Sequence, residues 1–74
     1  INTGALIDHE CIIGANCHIA PGSVLSGNVT LGDGVHIGTG STIIQEIDIG
    51  EGSIVAAGSV VFKNIKPHTK FIQS

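Results

Sequence analysis

Every sixth residue of this chain is aliphatic, from the first residue to residue 61. Isoleucine, leucine and valine make up roughly 0.3 of the residues, so an unbroken series of eleven has a chance probability on the order of 10⁻⁶. The series is Ile1, Ile7, Ile13, Ile19, Leu25, Leu31, Ile37, Ile43, Ile49, Val55 and Val61. The sequence is therefore a six-residue repeat, a hexad, and these aliphatic residues form its first column.

The other columns of the hexad describe a short extended piece followed by a turn. The fourth column holds glycine or asparagine in nine of eleven hexads, and the exceptions are Glu10 and Glu46. Glycine and asparagine adopt a positive φ at low cost, so each hexad is predicted to turn on one left-handed residue. Because such a unit cannot bury its own apolar side, the hexads must stack on one another. The sequence predicts an all-β solenoid of parallel strands.

Charge and length exclude several classes of function. The chain has 74 residues and a net charge of −3, and its three basic side chains, Lys63, Lys66 and Lys70, all lie near the C-terminal end. We expect no nucleic-acid or membrane partner, because no basic surface, transmembrane-length apolar run or signal peptide is present. A solenoid this short leaves both ends of its core open. We expect it either to associate with copies of itself or to be a piece of a longer protein.

The histidines are the candidate chemical groups. His9 is followed by Glu10, which occupies a column otherwise given to glycine or asparagine. A histidine beside a carboxylate is a candidate general base, although a solvated pair on an outer corner is the structural alternative. His18 and His36 are eighteen residues apart, and if one coil has that length they stack about 5 Å apart. Histidine spacings of nine and eighteen give no close pair for zinc, so we expect no metal.

Several segments resemble one branch of the hexapeptide-repeat acetyltransferases, the sialic-acid and nucleotide-aminosugar O/N-acetyltransferases. They are Asp8-His9-Glu10-Cys11-Ile12-Ile13-Gly14, Cys17-His18-Ile19-Ala20-Pro21-Gly22, Leu25-Ser26-Gly27-Asn28-Val29, the stretch from Gly32 to Ser41, and Ala57-Gly58-Ser59-Val60-Val61. The resemblance implies a left-handed parallel β-helix, a triangular prism with eighteen residues per coil and under four coils. We predict that this domain covers residues 1–66, is ended by Pro67, and is followed by a C-terminal tail at 67–74.

The same resemblance implies a reaction and the residues that perform it. Acetyl-CoA is the implied cosubstrate, and the implied acceptor is an amino or hydroxyl group of an activated sugar or sialic acid. His9 corresponds to the general base and Glu10 to its acidic partner. His18 and Gly27 correspond to residues around the acetyl end of acetyl-CoA, and Ala57 and Gly58 line its arm. Family members are homotrimers with the site between adjacent prisms.

Two features leave alternatives open. Relatives carry an N-terminal domain that grips the nucleotide sugar, and no segment of this sequence corresponds to it. Another hexapeptide transferase, acting on serine or a different sugar, and a non-catalytic structural solenoid therefore remain alternatives. In a triangular coil, Cys11 and Cys17 lie on different faces, so we expect two free buried thiols in a reducing compartment, the cytoplasm.

Overall fold

The regular elements of this protein are short β-strands separated by tight corners. The computed structural model describes residues 4–72, in which each of the eleven strands has two residues. They are β1 (Leu6–Ile7), β2 (Ile12–Ile13), β3 (His18–Ile19), β4 (Val24–Leu25), β5 (Thr30–Leu31), β6 (His36–Ile37), β7 (Thr42–Ile43), β8 (Asp48–Ile49), β9 (Ile54–Val55), β10 (Val60–Val61) and β11 (Lys70–Phe71). Residues 4–72 contain no helix that is long and apolar enough to cross a membrane.

The strands form three parallel sheets, which are the faces of a prism. The first face has the order β1-β4-β7-β10, the second face β2-β5-β8, and the third face β3-β6-β9-β11. Ile13 pairs with Leu31 and His18 with His36, so neighbouring strands are eighteen residues apart. The prediction of three hexads per coil is confirmed.

The first column of the hexads fills the inside of the prism. Eight of its members are at most 2% exposed: Ile19, Leu25, Leu31, Ile37, Ile43, Ile49, Val55 and Val61. Ile7 and Ile13 in the top coil are half-buried and pack against this core, and Ile1 lies outside the described residues. Because burial of one such side chain contributes about 1.5–3 kcal/mol, this column supplies most of the stabilisation of the fold.

The corners turn on the fourth column, as predicted. The residues with positive φ in that column are Gly4, Glu10, Asn16, Gly22, Asn28, Gly34, Gly40, Glu46, Gly52 and Gly58. Glu10 and Glu46 both have a φ of 62°. A left-handed conformation costs a residue with a Cβ about 1–2 kcal/mol, so the repeat imposes strain at these two glutamates.

Fifth-column side chains connect successive coils at the corners. Ser23 Oγ donates to the Gly38 carbonyl at 3.0 Å, and Ser41 Oγ donates to the Ala56 carbonyl at 3.0 Å. Each bond reaches fifteen residues along the chain, from one coil to the next. The buried hydroxyl groups are thereby satisfied, and the peptide at each such corner is held in register.

The last coil is two residues shorter than the others. Ile65 bridges Ile49, and Phe71 pairs with Val55, so both separations are sixteen residues. The sequence predicted Asn64 as the left-handed residue and Ile65 in the fifth column, and this is wrong: His68 has the positive φ, and Ile65 is a 6% exposed core residue. The reason is that proline has no N–H for the ladder, so an isoleucine fills the core position that the period assigned to Pro67.

The end of the prism also differs from the prediction. Residues 67–74 were predicted as a tail, but Lys70–Phe71 is a strand that pairs with β9. Phe71 is half-buried and packs against the core, whereas Ile72 is 68% exposed. Pro67 therefore shortens one corner instead of ending the sheet.

Candidate active site

The candidate site lies on the edge of the prism between its first and second faces. This first edge consists of residues 8–10, 26–28, 44–46 and 62–64, stacked one coil below another. β1 ends at Ile7, and the turn that follows places His9 at the top of the edge. The His9 side chain is 77% exposed, so it is accessible to a ligand.

Asp8 contacts His9 through both its ring and its backbone. Asp8 Oδ1 lies 2.7 Å from His9 Nδ1, and it accepts the His9 backbone N–H at 2.7 Å. The backbone bond first, and the ring bond second, hold the pKa of the Asp8 carboxyl below its usual 3.8. An ionised carboxylate only accepts hydrogen bonds, so Nδ1 carries the proton and Nε2 of the neutral ring keeps a lone pair. This arrangement orients His9 as a base.

The acidic partner of His9 is therefore not the residue that the sequence predicted. The prediction was based on Glu10 in its unusual column, but the ring is contacted by the preceding residue, Asp8. Glu10 is exposed and has the left-handed backbone of the corner. An aspartate directly before a turn often bonds a nearby backbone N–H, and this signal was available in the sequence.

Gly27 lies one coil below His9 on the first edge. It is not among the residues with positive φ, and a Cβ built on it meets only the His9 carbonyl oxygen at 3.9 Å and Asp8 Oδ2 at 4.0 Å. Neither backbone conformation nor packing thus requires glycine here. The Gly27 N–H has no hydrogen-bond acceptor among residues 4–72. The corner beneath the Asp8–His9 pair offers open space and an unused donor.

The other predicted site residues lie elsewhere on the prism. His18 is on the third face, opposite the first edge, and its ring centroid is 5.5 Å from that of His36, with a tilt of 33°. The predicted stacking of these two histidines is confirmed. Ala57 and Gly58 are exposed in a corner of the third edge, which joins the third face to the first. Within one chain the structure brings Asp8, His9 and Gly27 together and leaves the other three apart.

Two other features of residues 4–72 bear on the choice of site, namely possible metal ligands and the cavity. Within residues 4–72, no three histidine, cysteine, aspartate or glutamate side chains are placed to share a metal ion. A shallow cavity of about 270 Å³ opens at the far end of the prism, away from His9. Its lining residues are Lys63, Asn64, Ile65, Lys66, Thr69 and Phe71, and none of the predicted site residues is among them.

The repeat and its fold are those of a known family. Residues 28–63 match the family described as bacterial transferase hexapeptide (six repeats). The same period runs through the coils on either side of that segment. This match covers 36 of the 74 residues, and over that segment the chain is similar to the hexapeptide-repeat family. No curated protein sequence matches it.

Two solved structures share the architecture. Perosamine N-acetyltransferase from Caulobacter crescentus, as a histidine-to-asparagine variant in complex with CoA and GDP-perosamine, is 38% identical over 96% of this chain, with a TM-score of 0.88. Serine acetyltransferase from Neisseria gonorrhoeae, in complex with serine, is 23% identical over 89% of this chain, with a TM-score of 0.52, and shares the fold alone. The predicted left-handed β-helix is confirmed. This chain spans about a third of each of those chains, 33% and 36% respectively.

Proposed function

We propose that this chain is the acyl-transfer part of an acetyl-CoA-dependent acetyltransferase that acts on the amino group of a nucleotide-linked sugar. The match to the hexapeptide-repeat family model and the ligands of the 38% identical relative support this proposal. The observation that carries it is the Asp8–His9 pair, 2.7 Å apart, one coil above the unused N–H of Gly27. A base and an oxyanion donor are the two groups that direct acyl transfer requires.

The proposed mechanism is a direct transfer without an acyl-enzyme. His9 Nε2 removes a proton from the acceptor amine as the nitrogen attacks the thioester carbonyl carbon, and a C–N bond forms. The negative charge on the carbonyl oxygen is stabilised by the Gly27 N–H. The intermediate collapses by breaking the C–S bond, and the imidazolium returns its proton to the departing CoA sulfur. Asp8 stabilises the positive charge that His9 carries between these steps.

The proposal assigns His18, Ala57 and Gly58 to the acetyl-CoA arm and Glu10 to a supporting charge beside His9. In one prism, His18 lies on the third face, opposite the first edge, so the residues assigned to the acetyl-CoA arm and the base are on opposite sides of one chain. A second copy that packs against the first edge removes this difficulty. We therefore propose a homotrimer in which each cleft combines His9 and Gly27 of one copy with the third-face residues of its neighbour.

Exposed apolar side chains on the first face support such an assembly. Leu6 is 65% exposed and Val60 is 43% exposed, with Val24 and Thr42 between them on the same sheet. Beside them on the first edge, Phe62 is 52% exposed. An exposed strip of mostly apolar side chains, here interrupted by Thr42, is typical of a protein interface.

Two further proposals concern the location of the protein and the extent of its repeat domain. Cys11 and Cys17 are free thiols and acetyl-CoA is a metabolite of reducing compartments, which supports the cytoplasm. We propose that all eleven hexads of the sequence belong to one repeat domain. Because the chain spans a third of its relative, we propose the activity for the full-length protein.

The test is replacement of His9 by asparagine in the full-length protein. The assay follows acetylation of GDP-perosamine and of other nucleotide-linked amino sugars with acetyl-CoA. We expect kcat to fall by about 10²–10⁴ with KM for acetyl-CoA nearly unchanged, because a base acts in the transition state and not in binding.

His68 provides a matched control for this experiment. It is an exposed histidine beside a carboxylate, with Nε2 3.8 Å from Glu51 Oε2, and it lies on another edge. The His68→Asn variant is expected to keep full activity. Full activity in the His9→Asn variant would exclude the mechanism, and no transfer by the unmodified protein to any sugar in the panel would exclude the proposed reaction.

A further inference from the structure

We propose that Cys11 is a positioning residue that fixes the orientation of the Gly27 N–H, the oxyanion donor. This inference rests on the proposed function, because it assigns a role toward that same site. We do not expect the Cys11 thiol to contact the substrate. Its role is to hold the peptide that carries the donor.

The thiol of Cys11 bonds the peptide unit that precedes Gly27. Cys11 Sγ donates to the Ser26 carbonyl oxygen at 3.2 Å. The Ser26 C=O and the Gly27 N–H belong to one planar peptide, so a bond that fixes the carbonyl also fixes the direction of the N–H. The N–H of Ser26 donates to Ile43 O at 3.0 Å, and the carbonyl of Gly27 accepts from Glu46 N at 3.0 Å. These two bonds hold the groups on either side of the Ser26–Gly27 peptide. Rotation of that peptide would therefore break the bond from Cys11.

A hydrogen bond from a fifth-column side chain to a carbonyl of the next coil recurs through the fold. The bond from Cys11 is the one that lies beside the candidate site. Cys17 donates in the same way to the Gly32 carbonyl at 3.2 Å, and Ser23 to the Gly38 carbonyl at 3.0 Å. Below Cys11, the same column at the first edge holds Val29 and Ile47, which have no side-chain donor. Among residues 4–72, the fifth-column side chain that donates a hydrogen bond at the first edge is therefore Cys11. This is the edge that contains Asp8, His9 and Gly27.

A donor stabilises a developing oxyanion only when its direction is set before the reaction begins. Without the Cys11 bond, the Ser26–Gly27 peptide has no partner on its carbonyl among residues 4–72 and loses its preferred orientation. Loss of orientation should affect the transition state more than substrate binding. Loss of a whole donor costs about 10²–10³ in rate, so a loosened donor should cost about tenfold.

The experiment compares Cys11→Ala, Cys11→Ser and Cys17→Ala in the full-length protein. We expect Cys11→Ala to lower kcat about tenfold with KM for acetyl-CoA unchanged. Cys11→Ser should restore kcat, because serine makes the same bond at 3.0 Å elsewhere in the column. Cys17→Ala removes an identical 3.2 Å thiol bond from another edge, so it should lower the melting temperature equally and leave kcat unchanged.

A second measurement separates this inference from the proposed function. The ¹H–¹⁵N chemical shift of the Gly27 amide should move in Cys11→Ala and stay in place in Cys17→Ala, with or without enzymatic activity. If the unmodified protein transfers acetyl groups but Cys11→Ala and Cys17→Ala have equal kcat values, the inference is overturned and the proposed function stands. If no transfer occurs, an unmoved Gly27 amide overturns the inference and a shifted amide supports the coupling to Cys11.

Discussion

The first and second edges of the prism use glycine for different reasons. The second edge, residues 14–16, 32–34, 50–52 and 66–68, has Gly14, Gly32 and Gly50 in its second column. A Cβ on Gly32 would lie 2.6 Å from Glu51 N, and one on Gly14 would lie 2.5 Å from Asp33 Oδ1. The second column of the first edge instead holds Asp8, Ser26, Ile44 and Phe62. Of these two edges, it is therefore the second on which close stacking of the coils requires glycine.

Gly27 on the first edge is not explained by packing. A Cβ there would have its nearest contact at 3.9 Å, which is an ordinary van der Waals distance. The Gly27 N–H has no acceptor among residues 4–72, and the same holds for the third-column N–H groups of Asp33 and Glu51 on the second edge, so an unpaired N–H at this column is a general feature of the repeat. What sets Gly27 apart is that the fold does not need a glycine there and that it lies directly below the Asp8–His9 pair, and this combination points to function.

Alanine substitutions at Gly32 and Gly27 provide the largest test of this comparison. Gly32→Ala should lower the free energy of unfolding by about 3 kcal/mol, because its methyl group would overlap the backbone of the next coil. Gly27→Ala should change it by less than about 1 kcal/mol, because the added methyl group meets no close contact. Urea unfolding of both variants gives these values.

Activity of the same two variants completes the test. Gly27→Ala should lower the acetyltransferase rate by about tenfold, since the methyl group occupies the space beside His9. A Gly27→Ala variant that is as unstable as Gly32→Ala would show that both glycines are structural. In that case the contrast between the edges would be lost.

Replacement of His18 and His36 tests the role that the proposal gives to the third face, separately from the first edge. His18→Ala should raise KM for acetyl-CoA about tenfold, because the proposal places this ring against the ligand. His36→Ala serves as the control, since it removes the stacked ring one coil below and should leave KM within about twofold. Equal effects would assign the role to the stacked pair instead of to His18.

Replacement of the two glutamates with positive φ, Glu10 and Glu46, tests whether the first edge keeps these side chains at a cost in stability. Glu10→Gly and Glu46→Gly should each raise the free energy of unfolding by about 0.5–1 kcal/mol, because glycine relieves the positive φ of 62° but orders more backbone. Thermal unfolding measures this change. If Glu10 supports His9, only Glu10→Gly should also lose activity, and no loss in either variant would remove Glu10 from the site.

Acid titration gives the smallest expected effect. The pKa of Asp8 is lowered by its bonds with His9, so its contribution to stability is present above the usual carboxyl value of 3.8 and is lost as pH falls through the lowered pKa. The difference in melting temperature between the unmodified protein and Asp8→Asn should therefore shrink as the pH falls from 5 to about 2. A difference that stays constant over that range would mean that the Asp8–His9 bond does not form in solution.

The sequence predicted which residues of the site lie one coil apart, but it did not predict which side chains contact each other. The spacing of eighteen residues places Gly27 directly below His9, and the same spacing stacks His18 on His36. The choice between Asp8 and Glu10 as the partner of His9 was not predictable from spacing. The backbone torsions of one corner turn the Asp8 carboxylate toward the ring and give Glu10 a left-handed backbone.

The period of six by itself determined the inward column and the left-handed corners. These features are local, because each depends on residues that recur at fixed short distances along the chain. The length of the coil came from the family resemblance, and the structure confirms it by pairing Ile13 with Leu31. The tertiary structure alone decided the last coil, where Ile65 and not Pro67 fills the core. That outcome depends on competition for a buried position and for a backbone hydrogen bond, and such competition arises only when the coils are stacked.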